Sequence, residues 1–344
     1  MRYPAPLTRG SKIAVTAFSS GVESGLWQRL DHILEQWRSK GFEIVEGQCL
    51  RENHHYVSAD KHTRASELQA FLCDDSVAAV VAPFGGEFAT DLLPLLDYEV
   101  LNKQKPKWLL GYSDISTITC AITTKLNWVT VHSACLMELL DEQSDDLTRN
   151  TLTHLNLREG NSFVQESSSH YQQQNPNWIE EPLATFVLDQ PTKWYWLNTT
   201  AATTTSISGR LFGGCLDTLV NLFATPYVDF QAFKQQHAND GVVLYLENVE
   251  MSPQGLKRAL LSMDFKKVFD GINGVVLGRS CGPNDAQNQL TYETVISEFF
   301  TDKSFPVIVD ADIGHKPPNL VLFNGAVVTI SLENNKGQVV QQLI

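Results

Sequence analysis

No stretch of this 344-residue chain approaches the ~18 apolar residues that a membrane-spanning helix needs. Met1–Gly10 also lacks the apolar core of a secretory leader, so neither a span nor a leader is expected. Positive charge is scarce. Lys and Arg total 26 against 39 Asp and Glu, a net charge of −13, and the basic residues form no block. Phosphate binding needs clustered Lys and Arg, so a nucleic-acid polymer and an anionic membrane surface are both excluded as expected partners. Cysteine is sparse too: Cys49, Cys73, Cys120, Cys135, Cys215 and Cys281 stand apart, with no CxxC pair. That argues against a disulfide scaffold or a four-cysteine zinc site and favours reduced thiols in a cytoplasmic protein. GxGxxG and GxxxxGK[ST] are both absent, which removes the usual dinucleotide and phosphate-loop signatures. There is no internal repeat. With 43% apolar residues the chain nevertheless has the composition of a folded protein, and its length suits about two domains.

The first half alternates short apolar runs with helical stretches. Lys12–Phe18, Phe42–Val45, Val77–Ala82 and Lys107–Gly111 read as strands. Between the first two, Glu23–Lys40 places Leu26, Leu30, Ile33, Leu34 and Trp37 on one helical face, and Gly41 stops it. Strands alternating with helices imply a parallel sheet covered on both sides. Residues 161–176 are polar and break the pattern. The second half carries more strand signals, at Val242–Leu246, Gly274–Gly278, Pro306–Asp310 and Leu320–Ile330, with one good helix at Pro253–Phe269. The expected architecture is α/β: an N-terminal parallel-sheet α/β domain at 1–165, a linker or mobile loop at 166–205, and a strand-rich α+β C-terminal domain at 206–344.

The segment richest in chemistry is Lys107–Thr117, where an apolar strand runs into Gly111-Tyr112-Ser113-Asp114 and then a helix. A serine on such a turn is lifted from the carboxyl end of the sheet beside free helix N–H groups, as in a nucleophile elbow. Ile115 stands where GxSxG has its second glycine, and the competing reading is that Ser113 or Asp114 only caps the helix. Upstream, Pro83-Phe84-Gly85-Gly86-Glu87 follows another strand. Adjacent glycines there suit either an oxyanion hole or a plain turn. Serine needs a base. Of nine histidines, His132 follows a strand, and His54, His55 and His62 share an exposed-looking polar segment without regular metal-ligand spacing. His315 has the best mount, after the strand Pro306–Asp310 and before Lys316-Pro317-Pro318. For the acid that orients it, Glu247 at the end of a buried strand ranks first, with Asp310 and Asp312 as competitors.

Together these segments resemble the LD-carboxypeptidase and microcin C self-immunity family of serine peptidases. The resemblance rests on Pro6–Val15, the stretch from Arg64 to Gly86, Leu92–Ser116, Gly209–Tyr227, Leu244–Glu250 and Asp310–His315, in that order along almost the whole chain. It implies Ser113 as nucleophile, His315 as base, Glu247 as the group orienting His315, and the Gly86 and Asp114 amides as the oxyanion hole. It also implies a site shared by two domains, no metal or other cofactor, and a homodimer.

Two departures stand out. Phe84-Gly-Gly-Glu-Phe88 replaces the Arg-Gly-Gly-Tyr-Gly common among muropeptide-cleaving members, and Cys215 stands where Asn is usual. The wording around Ser113 is closer to the microcin immunity branch, whose members cleave the amide joining an aminoacyl group to a nucleotide-like moiety. The expected partner is therefore a small peptide-like or aminoacyl-nucleotide substrate, near Gly85, Glu87 and Cys215. Trp178 and Trp194, with Phe186, Tyr195 and Trp196, are positioned in sequence either to stack on a base or to pack a core. The alternatives are an LD-carboxypeptidase that removes the terminal D-Ala of muropeptides, a non-catalytic small-ligand binder, and an α/β-hydrolase esterase.

Overall fold

Five strands form the parallel part of the first sheet: Lys12–Val15 (β1), Glu43–Glu46 (β2), Val77–Val81 (β3), Trp108–Leu110 (β4) and Thr130–His132 (β5). They pair in parallel in the order β5-β4-β3-β1-β2. The computed structural model describes residues 1–143, 145–198 and 205–344. Because side chains alternate across a strand, the buried residues of β1 divide between two cores. Ile13 and Val15 meet Leu30, Ile33, Leu34 and Trp37 of the helix Trp27–Ser39, while Ala14 faces the other side. That helix buries four of the five apolar positions the spacing predicts; Leu26 precedes it in a short 3-10 turn and is partly buried.

The second sheet has the order β6-β16-β15-β10-β11-β12-β13-β9. Its strands are Ser162–Glu166 (β6), Tyr195–Asn198 (β9), Ser206–Cys215 (β10), Val242–Glu247 (β11), Gly274–Gly278 (β12), Val307–Ala311 (β13), Val327–Glu333 (β15) and Lys336–Gln342 (β16). His170–Tyr171 (β7) and Gln190–Pro191 (β8) pair separately. The centre, β10 to β13, is parallel, and β11 and β12 are buried at every residue. The outer strands are antiparallel, and β15 and β16 alternate buried residues with more exposed ones, as antiparallel strands facing water on one side do.

Two features differ from the sequence reading. The run Leu320–Ile330 is two strands. Leu322–Asn324 (β14) closes the first sheet antiparallel to β5, and Gly325, with φ of +95°, turns the chain into β15 of the second sheet. Within 166–205, read above as a linker, Trp194 is fully buried and β9 pairs with β13. Residues 199–204 of that segment lie outside the described residues.

The helix Ile115–Leu126 fills the space between the sheets and is buried almost all round, as a helix covered on both sides must be. Its Cys120 thiol donates to Gly213 O (3.2 Å), and Ser116 Oγ accepts the Cys215 amide (3.0 Å). Gly214 permits this approach: a Cβ there would lie 2.7 Å from Ser116 Cβ. Ile118 of the helix therefore shares one core with Leu109 of β4 and Phe212 and Leu244 of the second sheet. This packing brings the carboxyl ends of β3, β4, β11 and β13 to one cleft.

Candidate active site

Ser113 sits between β4 and the central helix with φ of +62°, a left-handed conformation rare for a residue with a side chain. Such backbone costs about 1–3 kcal/mol and persists only where surrounding packing holds it. Its Oγ is 3.0 Å from Nε2 of His315. Nδ1 of the same ring is 2.9 Å from Oε2 of Glu247, the last residue of β11. The Glu247 side chain is fully buried, while His315 keeps partial access to the cleft. Burial alone would lower the His315 pKa, but the Glu247 carboxylate and its hydrogen bond raise it above the ordinary 6.5. Burial would raise Glu247; the facing imidazole reverses that and holds the carboxyl below its usual value. The pair thus favours an imidazolium facing a carboxylate.

Glycines set the spacing. Gly314, with φ of +107°, lies against Glu247; a Cβ there would be 2.8 Å from Oε2. Gly85 lies against the serine, where a Cβ would fall 2.6 Å from Ser113 Cβ and 2.7 Å from Oγ. Gly85→Ala is therefore expected to displace the hydroxyl and lower kcat/KM by about 100-fold in a folded protein. Steady-state kinetics beside circular dichroism checks this. The Gly86 and Asp114 amides donate to no backbone carbonyl among the described residues.

Asp114 stands at the N-cap of the following helix, but its side chain makes no capping hydrogen bond to a helix amide. The Asp114 carboxylate instead accepts from Ser19 Oγ (2.6 Å), the Ala89 amide (2.7 Å) and Thr117 Oγ1 (3.2 Å), which ties the serine turn to the neighbouring loops. Neither competing acid is the one bonded to the imidazole. Asp312 is fully buried and salt-bridged to Arg279, and Asp310 is the penultimate residue of β13, with φ of +62°. His132 lies inside β5, buried between Tyr112 and Tyr245; burial lowers its pKa to about 4.

Two lobes of the cleft, each about 520 Å³, meet at Gly86, Ser113 and His315. One is aromatic, with Phe84, Tyr112 and Trp178 on its wall. The Trp178 ring stacks on Phe84 (centroids 6.5 Å apart) and carries the Arg29 guanidinium 3.9 Å from its centre. The other lobe holds Glu87, Asp217 and Glu250 and no Lys or Arg among its described lining residues. Cys215 lines this lobe in register with Glu247, and burial pushes its thiol pKa well up. Trp194 is a correction to the sequence reading: it is fully buried and its indole N–H donates to Asp312 (3.1 Å), away from the cleft. An aromatic in a polar stretch gave no means to separate Trp178 from Trp194. Sequence reasoning also missed Ser19, Tyr112 and Glu138. Tyr112 packs 4.8 Å from the His315 ring and donates its hydroxyl to the buried Glu138 (3.0 Å).

Residues 13–133 match the LD-carboxypeptidase N-terminal domain and residues 208–330 the LD-carboxypeptidase C-terminal domain. The chain belongs to the LD-carboxypeptidase family. It is a hydrolase of the serine-peptidase type. Among curated family relatives, the microcin C7 self-immunity protein MccF of Escherichia coli is 23% identical over 343 residues, 99% of this chain and 96% of that protein. The "Probable murein peptide carboxypeptidase" of Bacillus subtilis is 24% identical over 326 residues, 94% of this chain and 89% of that one. Among solved structures, MccF in complex with glutamyl sulfamoyl guanosine superposes with a TM-score of 0.84 at 22% identity, covering 99% of both chains. An MccF-like protein from Bacillus anthracis gives 0.81 at 20% identity, again covering 99% of both. These structures share the LD-carboxypeptidase family fold described here.

Proposed function

We propose that Ser113, His315 and Glu247 form a catalytic triad that hydrolyses the amide of an aminoacyl-nucleotide-like substrate. The observation that carries this reading is the position of one imidazole, 3.0 Å from the serine hydroxyl and 2.9 Å from a buried carboxylate. Ser113 Oγ attacks the carbonyl as Nε2 of His315 takes its proton, and Glu247 steadies the imidazolium. The Gly86 and Asp114 amides hold the oxyanion. His315 then returns the proton to the leaving nitrogen, and water hydrolyses the acyl-enzyme by the same route. Both halves of the chain are required, since 1–165 supplies the serine and 206–344 the acid and base. We further read the protein as a cytoplasmic homodimer; native mass spectrometry of the purified chain tests the dimer.

The aromatic lobe suits a planar leaving group. MccF has been solved with aspartyl sulfamoyl adenosine and, as a tryptophan-to-phenylalanine mutant, with adenosine monophosphate. Trp178 is the side chain we assign to such a ring. The acyl group then enters the lobe with Glu87, Asp217 and Glu250, where like charge disfavours an acidic side chain and opposite charge favours a basic one. Lysyl-, alanyl- and aspartyl-sulfamoyl adenosine, assayed with an L,D-muropeptide, test the reading. The expected kcat/KM falls in that order by about tenfold per step, and Glu250→Lys raises the aspartyl value. Turnover of the muropeptide alone overturns the substrate class in favour of cell-wall recycling.

A further inference from the structure

A buried ion pair outside the triad joins the segment over the aromatic lobe to the loop that carries His315. Asp312 is fully buried three residues before His315 and ion-paired with the equally buried Arg279, which follows β12. Asp312 also accepts from the Ser168 amide (2.9 Å), the Ser168 hydroxyl (2.5 Å) and the Trp194 indole (3.1 Å). Arg279 donates to Lys316 O (3.0 Å) and Thr192 Oγ1 (3.0 Å), and its guanidinium lies 4.4 Å from the centre of the Tyr171 ring. Ser168, Tyr171 and Thr192 form the stem of the segment 168–192, where β7 pairs with β8. The Gln172 amide adds a bond to Pro317 O (2.8 Å). The far end of the same segment supplies Asn175, Pro176 and Trp178 to the aromatic lobe.

We propose that Arg279 and Asp312 are a positioning pair that locks this flap to the His315 loop, so that the flap over the leaving group and the general base move as one body. The inference rests on His315 acting as the base. Physically, a buried charge pair with its remaining donors and acceptors filled allows one arrangement of the segments it joins. Removing either charge leaves the other unpaired and frees the two segments to separate. Gly314 and its contact with Glu247 lie between the clamp and the imidazole, so loosened loop geometry is felt at Nδ1.

The test uses Arg279→Gln, Asp312→Asn and the milder Ser168→Ala, which removes one flap-side donor and leaves the ion pair intact. Each variant is titrated with a fluorophosphonate to count competent serines. Labelling rate and turnover of aminoacyl-sulfamoyl adenosine are then expressed per titrated site. The expected result is a full titre with kcat per site lowered about tenfold or more in the first two variants and about threefold in Ser168→Ala. The acid limb of kcat/KM should move to lower pH as the His315–Glu247 contact loosens. A purely structural role predicts a reduced titre with unchanged rate per site and an unchanged pH profile, and that outcome in Ser168→Ala overturns the coupling. Wild-type protein that neither labels nor turns over overturns the serine-peptidase reading and the coupling with it. Labelled wild type with unaltered variants overturns the coupling alone.

Discussion

Ser113→Ala is expected to lower kcat/KM by about 10⁴-fold while the protein stays folded. Among the described residues the hydroxyl makes one hydrogen bond, to His315, so its loss removes the nucleophile and little else. Alanine keeps a Cβ and so inherits the same left-handed backbone strain, leaving the fold's energy nearly unchanged. Some activity above the uncatalysed rate remains, because the oxyanion donors and both lobes of the cleft are untouched. The check is mass-spectrometric: fluorophosphonate adds to Ser113 in the wild type and nowhere in the variant. A comparable turnover number in Ser113→Ala would refute the assignment outright.

Glu247→Gln is expected to cost about 10³–10⁴-fold in kcat. The amide is nearly isosteric, so packing at the end of β11 survives. What changes is the charge beside Nδ1. A carboxylate accepts a hydrogen bond from Nδ1–H and leaves Nε2 free to take the proton of serine. A glutamine amide is able to present its N–H₂ instead, which selects the wrong tautomer. The pH profile follows with a definite sign. The base must be neutral to act, so wild-type kcat/KM rises with pH through the His315 ionisation, which Glu247 holds above 6.5. Removing the carboxylate withdraws the attraction that raises it and leaves the burial that lowers it. The acid limb in Glu247→Gln should therefore shift to lower pH even as the plateau collapses. A limb that stays in place would show that Glu247 does not face the base in solution.

The strand-helix alternation of the first half was legible because period-two and period-3.6 patterns are local. Ile13, Ala14 and Val15 report a strand buried on both faces, and Leu30, Ile33, Leu34 and Trp37 report one covered side of a helix. The elbow at Ser113 was legible for the same reason, as a strand that stops at Gly111 and restarts as a helix. The segment 166–198 was not. Its Trp194 is held by Asp312 and its β9 by β13, partners more than a hundred residues away, and no local pattern announces them. The same holds for Tyr112 and Glu138, whose relation to His315 comes from packing.

By itself, then, the sequence determined which residues had the chemistry: an acidic chain without a basic block, a serine on a sharp turn, a histidine and several acids at strand ends. Those are properties of composition and of neighbours along the chain. Choosing among the acids needed the tertiary structure. Asp310 and Asp312 lie nearest His315 in sequence, yet Asp312 is neutralised by Arg279, and it is Glu247, sixty-eight residues away, that touches the imidazole. The physical reason is that two mixed sheets, each with a parallel centre, pack on one central helix, through glycines that let backbone meet side chain. That packing, invisible to any local window, decides which strand ends share a cleft.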